Sequence, residues 1–197
     1  MILLSGPTGS GKTTIAKFLE KLGYDIIPTF TTRDKRPDDM YTESISINEF
    51  NVMEFKKKFI SSHTFSAQFG DVSYGIPKIP KKSSGNSVAI VAYEYIDDFK
   101  EYIENINDAM YLVYLNVPEN VIIERSMKDD GRGISNSDLI NRLERDRDKN
   151  KEIKGISTIS LSNAYDTPYN VAKVISTEYQ KFLNENVFKK LKERNDR

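Results

Sequence analysis

The chain opens on four apolar residues, Met1-Ile2-Leu3-Leu4, and follows them almost at once with Gly6-Pro7-Thr8-Gly9-Ser10-Gly11-Lys12-Thr13. The apolar run is too short for anything but a buried strand. From Thr13 the period changes: Ile15, Ala16, Leu19 and Leu22 mark one face of a helix, and Gly23 supplies a stop. The glycines therefore form the turn between a strand and a helix. Glycine lets the backbone bend tightly enough for successive N–H groups to point at one anion, and the following helix adds its positive end. The spacing is Gly-x-x-x-x-Gly-Lys-Thr, the phosphate-binding loop pattern. At average usage, with Gly near ~7%, a chance match in a chain this long is on the order of one per cent. The pattern predicts a nucleoside triphosphate site over Gly6, Pro7, Thr8, Gly9, Ser10, Gly11, Lys12, Thr13 and Thr14. Lys12 reaches the β- and γ-phosphates in such a site, and the Thr13 hydroxyl holds Mg²⁺.

The rest of the composition narrows the chemistry. At 197 residues there is room for one domain with a sizeable core and inserted lobes. Lys+Arg and Asp+Glu both number 29, so net charge gives no support for a nucleic-acid or membrane-surface binder. With Cys 0, disulfides, zinc-thiolate sites and thiol chemistry are excluded, and His63, the single histidine, rules out a His-rich metal site. The first strand begins at residue 1 and no apolar run approaches ~18 residues, so a cytoplasmic protein without leader or membrane span is expected.

Strand and helix patterns then alternate, which predicts an α/β fold with a parallel sheet. "YDIIPTFTT" reads as a second strand. Ser46-x-x-Glu49 is a capping box opening a helix with Phe50, Met53 and Phe59 as its apolar points. "HTFSAQFGDVSYG" reads as short strands around a glycine turn, and "IPKIPKKSSGNS" as a connector. "VAIVAY" and "MYLVYLNV" are core strands, each followed by a helix, with Pro118 suited to the first turn of the second. A charged helix is expected from about Ser137, a last strand at "ISTISLS", and one long amphipathic helix from about Pro168.

A second constellation accompanies the loop. Arg33 and Arg36 stand three residues apart beside three threonines, a spacing suited to gripping another phosphate bidentately or to two solvated charges. Arg132 lies in a glycine-flanked stretch, and Arg142 and Arg145 on the helix after it. Phosphoryl transfer needs cations that gather around the transferred group and exclude water. Arg147 and Lys149 read as a solvated face.

From Leu3 to about Ile175 the chain resembles the guanylate kinase family. The resemblance rests on "SGPTGSGKTT", on "TFTTRDKR" against S-x-T-T-R-x-x-R, on "SYG" against Y-Y-G, on "GRGISNSDLINRL" against the family's lid pattern, and on "ISLSN" against V-x-N. It implies a P-loop NTPase three-layer sandwich with a five-stranded parallel core sheet, within one domain over 1–197. The core would span 1–32 and 85–197, with an inserted acceptor-binding lobe at about 33–84 and a lid at about 130–148. It implies transfer of the γ-phosphate of ATP, with Mg²⁺, to GMP. By position it makes Arg33, Arg36 and Tyr74 ligands of the acceptor phosphate, Thr29 a guanine-side hydroxyl, Arg132 and Arg142 lid cations, and Asn163 a neighbour of the adenine.

The departures cluster on one function. The family's guanine-reading Glu aligns near Phe65, its Ser/Thr after Y-G is Ile76, and its D-x-D strand end is Val91 to Tyr93, with Glu94 the nearest carboxylate. Phosphate-gripping residues are kept while base-reading ones are mostly replaced, which relaxes or redirects choice of acceptor. Three readings stay open: a nucleoside monophosphate kinase, a kinase of another small phosphorylated acceptor such as ribose 1,5-bisphosphate, and a non-catalytic binding module. The partners expected are ATP and a small phosphorylated acceptor, with the chain a monomer or homodimer.

Overall fold

The structure is a computed structural model; it describes residues 1–36, 39–67, 70–80, 85–128, 136–162 and 166–195. The first half comprises β1 (Ile2–Ser5), α1 (Lys12–Lys21), β2 (Asp25–Ile26), β3 (Thr29–Thr31), β4 (Thr42–Ser44), α2 (Ile47–Phe55), β5 (Phe59–Ala67), β6 (Gly70–Pro77) and β7 (Ser87–Ile90). The second comprises α3 (Ile96–Asn105), β8 (Tyr111–Leu115), α4 (Glu119–Lys128), α5 (Asn136–Arg145), α6 (Arg147–Ile156), β9 (Ile159–Leu161) and α7 (Pro168–Asn195).

Five strands form one parallel sheet in the order β2-β7-β1-β8-β9. β1 lies at its centre, and its first three residues, Ile2 to Leu4, are apolar and fully buried because both faces are covered. Ile2 and Leu4 point to one face, where they meet Ile15 and Leu19 of α1 and Val171, Ile175 and Tyr179 of α7. Met1 and Leu3 point to the other, against Ile96, Phe99 and Ile103 of α3 and Ile153 of α6. The result is a three-layer α/β sandwich. Crossovers from β1 and from β7 run to opposite sides, so the carboxyl end of β1 sits where such sheets bind ligands.

A second sheet has the order β4-β3-β6-β5. Here the expected second strand divides. Ile27 N–H still bonds Val88 O at 2.8 Å in the parallel sheet, but Thr29 N–H bonds Tyr41 O at 2.8 Å in the other. Pro28 between them has no N–H to give, which makes it the natural point to change sheets. The capping box at Ser46 and Glu49 is formed, with Ser46 N–H donating to Glu49 Oε2 at 2.9 Å and Glu49 N–H to Ser46 Oγ at 3.2 Å. Phe59, expected on that helix, belongs instead to β5 and packs back on Phe50 with ring centroids 4.8 Å apart. Gly75 makes room for it: a Cβ there would lie 2.7 Å from the Phe59 ring. The charged segment after residue 136 is two helices broken at Asp146 rather than one. Among the described residues no helix is long and apolar enough to cross a membrane.

Candidate functional site

The loop after β1 is a tight glycine turn leading into α1. Gly6 has φ 145°, and a Cβ on it would lie 2.8 Å from Leu115 O, so both backbone and space call for glycine. Gly9 and Gly11 also have positive φ, and Ser10 N–H closes the turn on Pro7 O at 3.1 Å. Gly11 is the N-cap and offers no side-chain cap, while no acidic residue occupies the first turn of α1. The first helical bond is Ile15 N–H to Gly11 O at 3.0 Å. The N–H groups of Lys12, Thr13 and Thr14 thus have no carbonyl one turn back, and they add to the positive end of the helix dipole.

Lys12 curls over this loop. Its Nζ donates to Gly6 O and Pro7 O, both at 2.8 Å. Burial pushes its pKa down to about 8, and the nearby Asp146 carboxylate opposes that shift. Ser10 is buried, Thr8 half-buried, and Thr13 and Thr14 exposed at the helix start.

Across from the loop lies a cleft of about 150 Å³ lined by Thr13, Ile27, Thr29, Asp39, Met40, Tyr41, Thr42 and Ile90. The fold therefore brings Thr13 of the loop and Thr29 of the second sheet to one space. Tyr41, from the wall of the cleft, donates to Glu20 Oε2 of α1 at 2.8 Å, tying the two sheets' elements together. Burial, and then Glu20, push the Tyr41 hydroxyl up to about 12.

Arg33 and Tyr74 are also brought together, with Arg33 Nε donating to the Tyr74 hydroxyl at 3.2 Å. The fork of Arg33, however, is engaged. Its two terminal nitrogens donate to Asp39 Oδ2 and Oδ1, each at 2.7 Å, and one also to Asp34 O at 2.8 Å. The pair is largely shielded, with side chains 14% and 9% exposed. The hydrogen bonds between them hold the Asp39 carboxyl below its ordinary range and raise the guanidinium further. Arg36 contributes its backbone N–H to Asp39 Oδ2 at 2.8 Å while its side chain is exposed. Asp39 falls in the pair, Asp38-Asp39, that aligns with the G-E following T-T-R-x-x-R, while Tyr41 and Thr42, which line the cleft with it, were picked out by no motif.

The helices α5 and α6 carry a separate set of charges. Arg142 is half-buried in the last turn of α5. Arg145 bonds Asp146 at 2.8 Å, and Arg147 holds Glu119 through two bonds of 3.1 and 3.0 Å. Lys149, read as part of a solvated face, is exposed and forms an ion pair with Glu94, just past the end of β7. The carboxylate nearest the missing D-x-D pair is therefore bonded to a cation of α6. Ile76 and Val91 are 1% and 2% exposed and belong to the core beneath the cleft rather than to its surface. Phe65 remains accessible, edge-on to Tyr74 with ring centroids 6.0 Å apart. Arg132 and Asn163 lie outside the described residues.

No protein-family profile matches the chain. A curated relative, the guanylate kinase of Maricaulis maris (strain MCS10), is 31% identical over 81 residues, a stretch covering 41% of this chain and 37% of that protein. Among solved structures, guanylate kinase from Anaplasma phagocytophilum superposes with a TM-score of 0.59 at 17% identity, over 92% of this chain and 84% of that one. A gluconokinase from Sinorhizobium meliloti 1021 superposes with a TM-score of 0.50 at 15% identity, over 95% of both chains. The loop, the sheet order and these superpositions together give the chain a guanylate kinase-like fold.

Proposed function

We propose that the chain is a phosphotransferase that moves the γ-phosphate of MgATP to a small phosphorylated acceptor, a nucleoside monophosphate, with GMP the lead by resemblance. One observation carries the reading: the glycine loop with Lys12 and the Arg33–Tyr74 pair sit on two different sheets, and the cleft between those sheets is lined from both sides, by Thr13 and by Thr29. In this reading the backbone from Gly6 to Thr14 cradles the triphosphate, Lys12 meets the transferred group, Thr13 holds the Mg²⁺ of the nucleotide, and Asn163 neighbours the adenine. The second sheet with α2 forms the acceptor lobe, where Thr29, Arg33, Arg36 and Tyr74 hold the acceptor. Arg132 and Arg142 are carried by the lid.

The donor set fits MgATP as substrate. Among the described residues no cluster of three or more His, Cys, Asp or Glu side chains is placed to hold a metal. One hydroxyl, Thr13, suits a metal that arrives on phosphate oxygens. The acceptor oxygen is already anionic near neutral pH, its phosphate having a second pKa of about 6. Transfer then needs positioning and charge stabilisation rather than a general base.

The competing reading, a binding module that does not turn over, draws on the Glu94–Lys149 pair and the apolar end of β7. An ADP-release screen across nucleoside monophosphates and sugar phosphates separates the two, with Lys12→Ala as the blank. Release above the blank for one acceptor class supports the kinase. Tight MgATP binding with no release for any acceptor supports the module.

A further inference from the structure

We infer that Asp39 sets the charge an acceptor must carry. Its carboxylate sits in the Arg33 fork as a built-in competitor of the acceptor phosphate, so the site admits a dianionic phosphomonoester and rejects monoanions. The inference rests on the proposed acceptor role of Arg33.

A guanidinium has five N–H donors in one rigid plane. Arg33 spends four hydrogen bonds inside the chain: one on the Tyr74 hydroxyl, one on Asp34 O and two on Asp39. The two to Asp39 use the paired edge, the geometry by which arginine takes a phosphate. A phosphate held by both terminal nitrogens must therefore displace Asp39. The carboxylate is anchored by a further donor, the Arg36 N–H at 2.8 Å, which belongs to the same turn. A carboxylate or a phosphodiester would trade one negative charge for another and give up an intramolecular contact. A phosphomonoester brings about −1.5 to −2 charges and three acceptor oxygens, enough to take Arg33 and leave an oxygen to accept from the Tyr74 hydroxyl. Asp39 also lines the cleft beside Thr13 and Thr29, so the displaced carboxylate stays next to the acceptor.

The test uses the full chain with Asp39→Asn and Asp39→Ala, both checked by thermal melting, and with inorganic phosphate as the probe in calorimetry. Removing the competing charge is expected to raise phosphate affinity about tenfold, the scale of one charge-assisted hydrogen bond. The gain is expected to disappear when Arg33→Gln is added, which separates this site from the glycine loop. In turnover the acceptor KM falls while the ATP KM holds. Phosphate affinity that is unchanged or lower in a folded Asp39 variant overturns the inference, as does a gain that survives Arg33→Gln. A gain at Arg33 without any phosphoryl transfer would instead count against the kinase reading and leave this one standing.

Discussion

Lys12 is bonded to the carbonyls of the loop that carries it, and its ammonium is held at a pKa of about 8 by burial. A lowered lysine pKa means the charge is present below that value and lost above it. kcat/KM for MgATP, which reports the free enzyme, is therefore expected to fall as pH rises through about 8. Lys12→Arg should abolish that inflection, since a guanidinium keeps its proton; a profile unchanged by this substitution would assign the titration to another group. Lys12→Ala should lower activity by ~10²-fold or more, as loss of one preorganised stabilising group does. Gly6→Ala places a Cβ 2.8 Å from Leu115 O at a φ of 145°, so it is expected to raise the MgATP KM and lower the melting temperature together. Of the two loop arginines, Arg33 is shielded and oriented by Tyr74 while Arg36 is exposed. Arg33→Ala should therefore raise the acceptor KM more than Arg36→Ala, with the ATP KM spared by both.

At the scale of elements, α4 and α5 share a small core of their own, Val121 and Ile122 against Leu139 and Leu143. It is separate from the two large clusters that flank the parallel sheet. A unit with few contacts to the main core opens at lower free energy than the whole molecule. Leu143→Ala removes a buried side chain at a typical local cost of ~2–5 kcal/mol. Its expected signature is faster hydrogen exchange in α4 and α5 with little change in the main melting transition. A bisubstrate analogue should slow exchange in α5 if that helix closes over the phosphates with Arg142; equal protection with and without the analogue would remove α5 from the lid. The second sheet is held differently, by Phe30, Phe50 and Phe59, whose tilted rings pack against one another.

For the molecule as a whole, the proposed function puts acceptor choice where the two sheets face each other. Phe65 presents a ring beside Tyr74, and Ile76 and Val91 are in the core, so these positions offer a base a stacking surface and no hydrogen-bonding edge. GMP is expected to be preferred over AMP, CMP and UMP by far less than the ~10⁴ that a buried polar reader provides. A set of kcat/KM ratios above that value would locate such a reader elsewhere in the cleft. The phosphate loop, the first helix, the Ser46 cap and the buried strands were legible in the chain itself, because each depends on residues a few positions apart and on a fixed period. Arg33 and Tyr74 were legible through their motif. What no spacing encodes is which charges meet once the sheets pack. Glu94 and Lys149 are 55 residues apart and become an ion pair only because α6 lies against the end of β7. Tyr41 reaches Glu20 only because the second sheet leans on α1. Asp39 shares a short turn with Arg33, yet its place in the fork depends on Tyr74, brought over from β6 to orient the guanidinium. Local order follows from nearest neighbours along the chain; the pairing of distant charges follows from the packing of the two sheets, and only the folded molecule decides it.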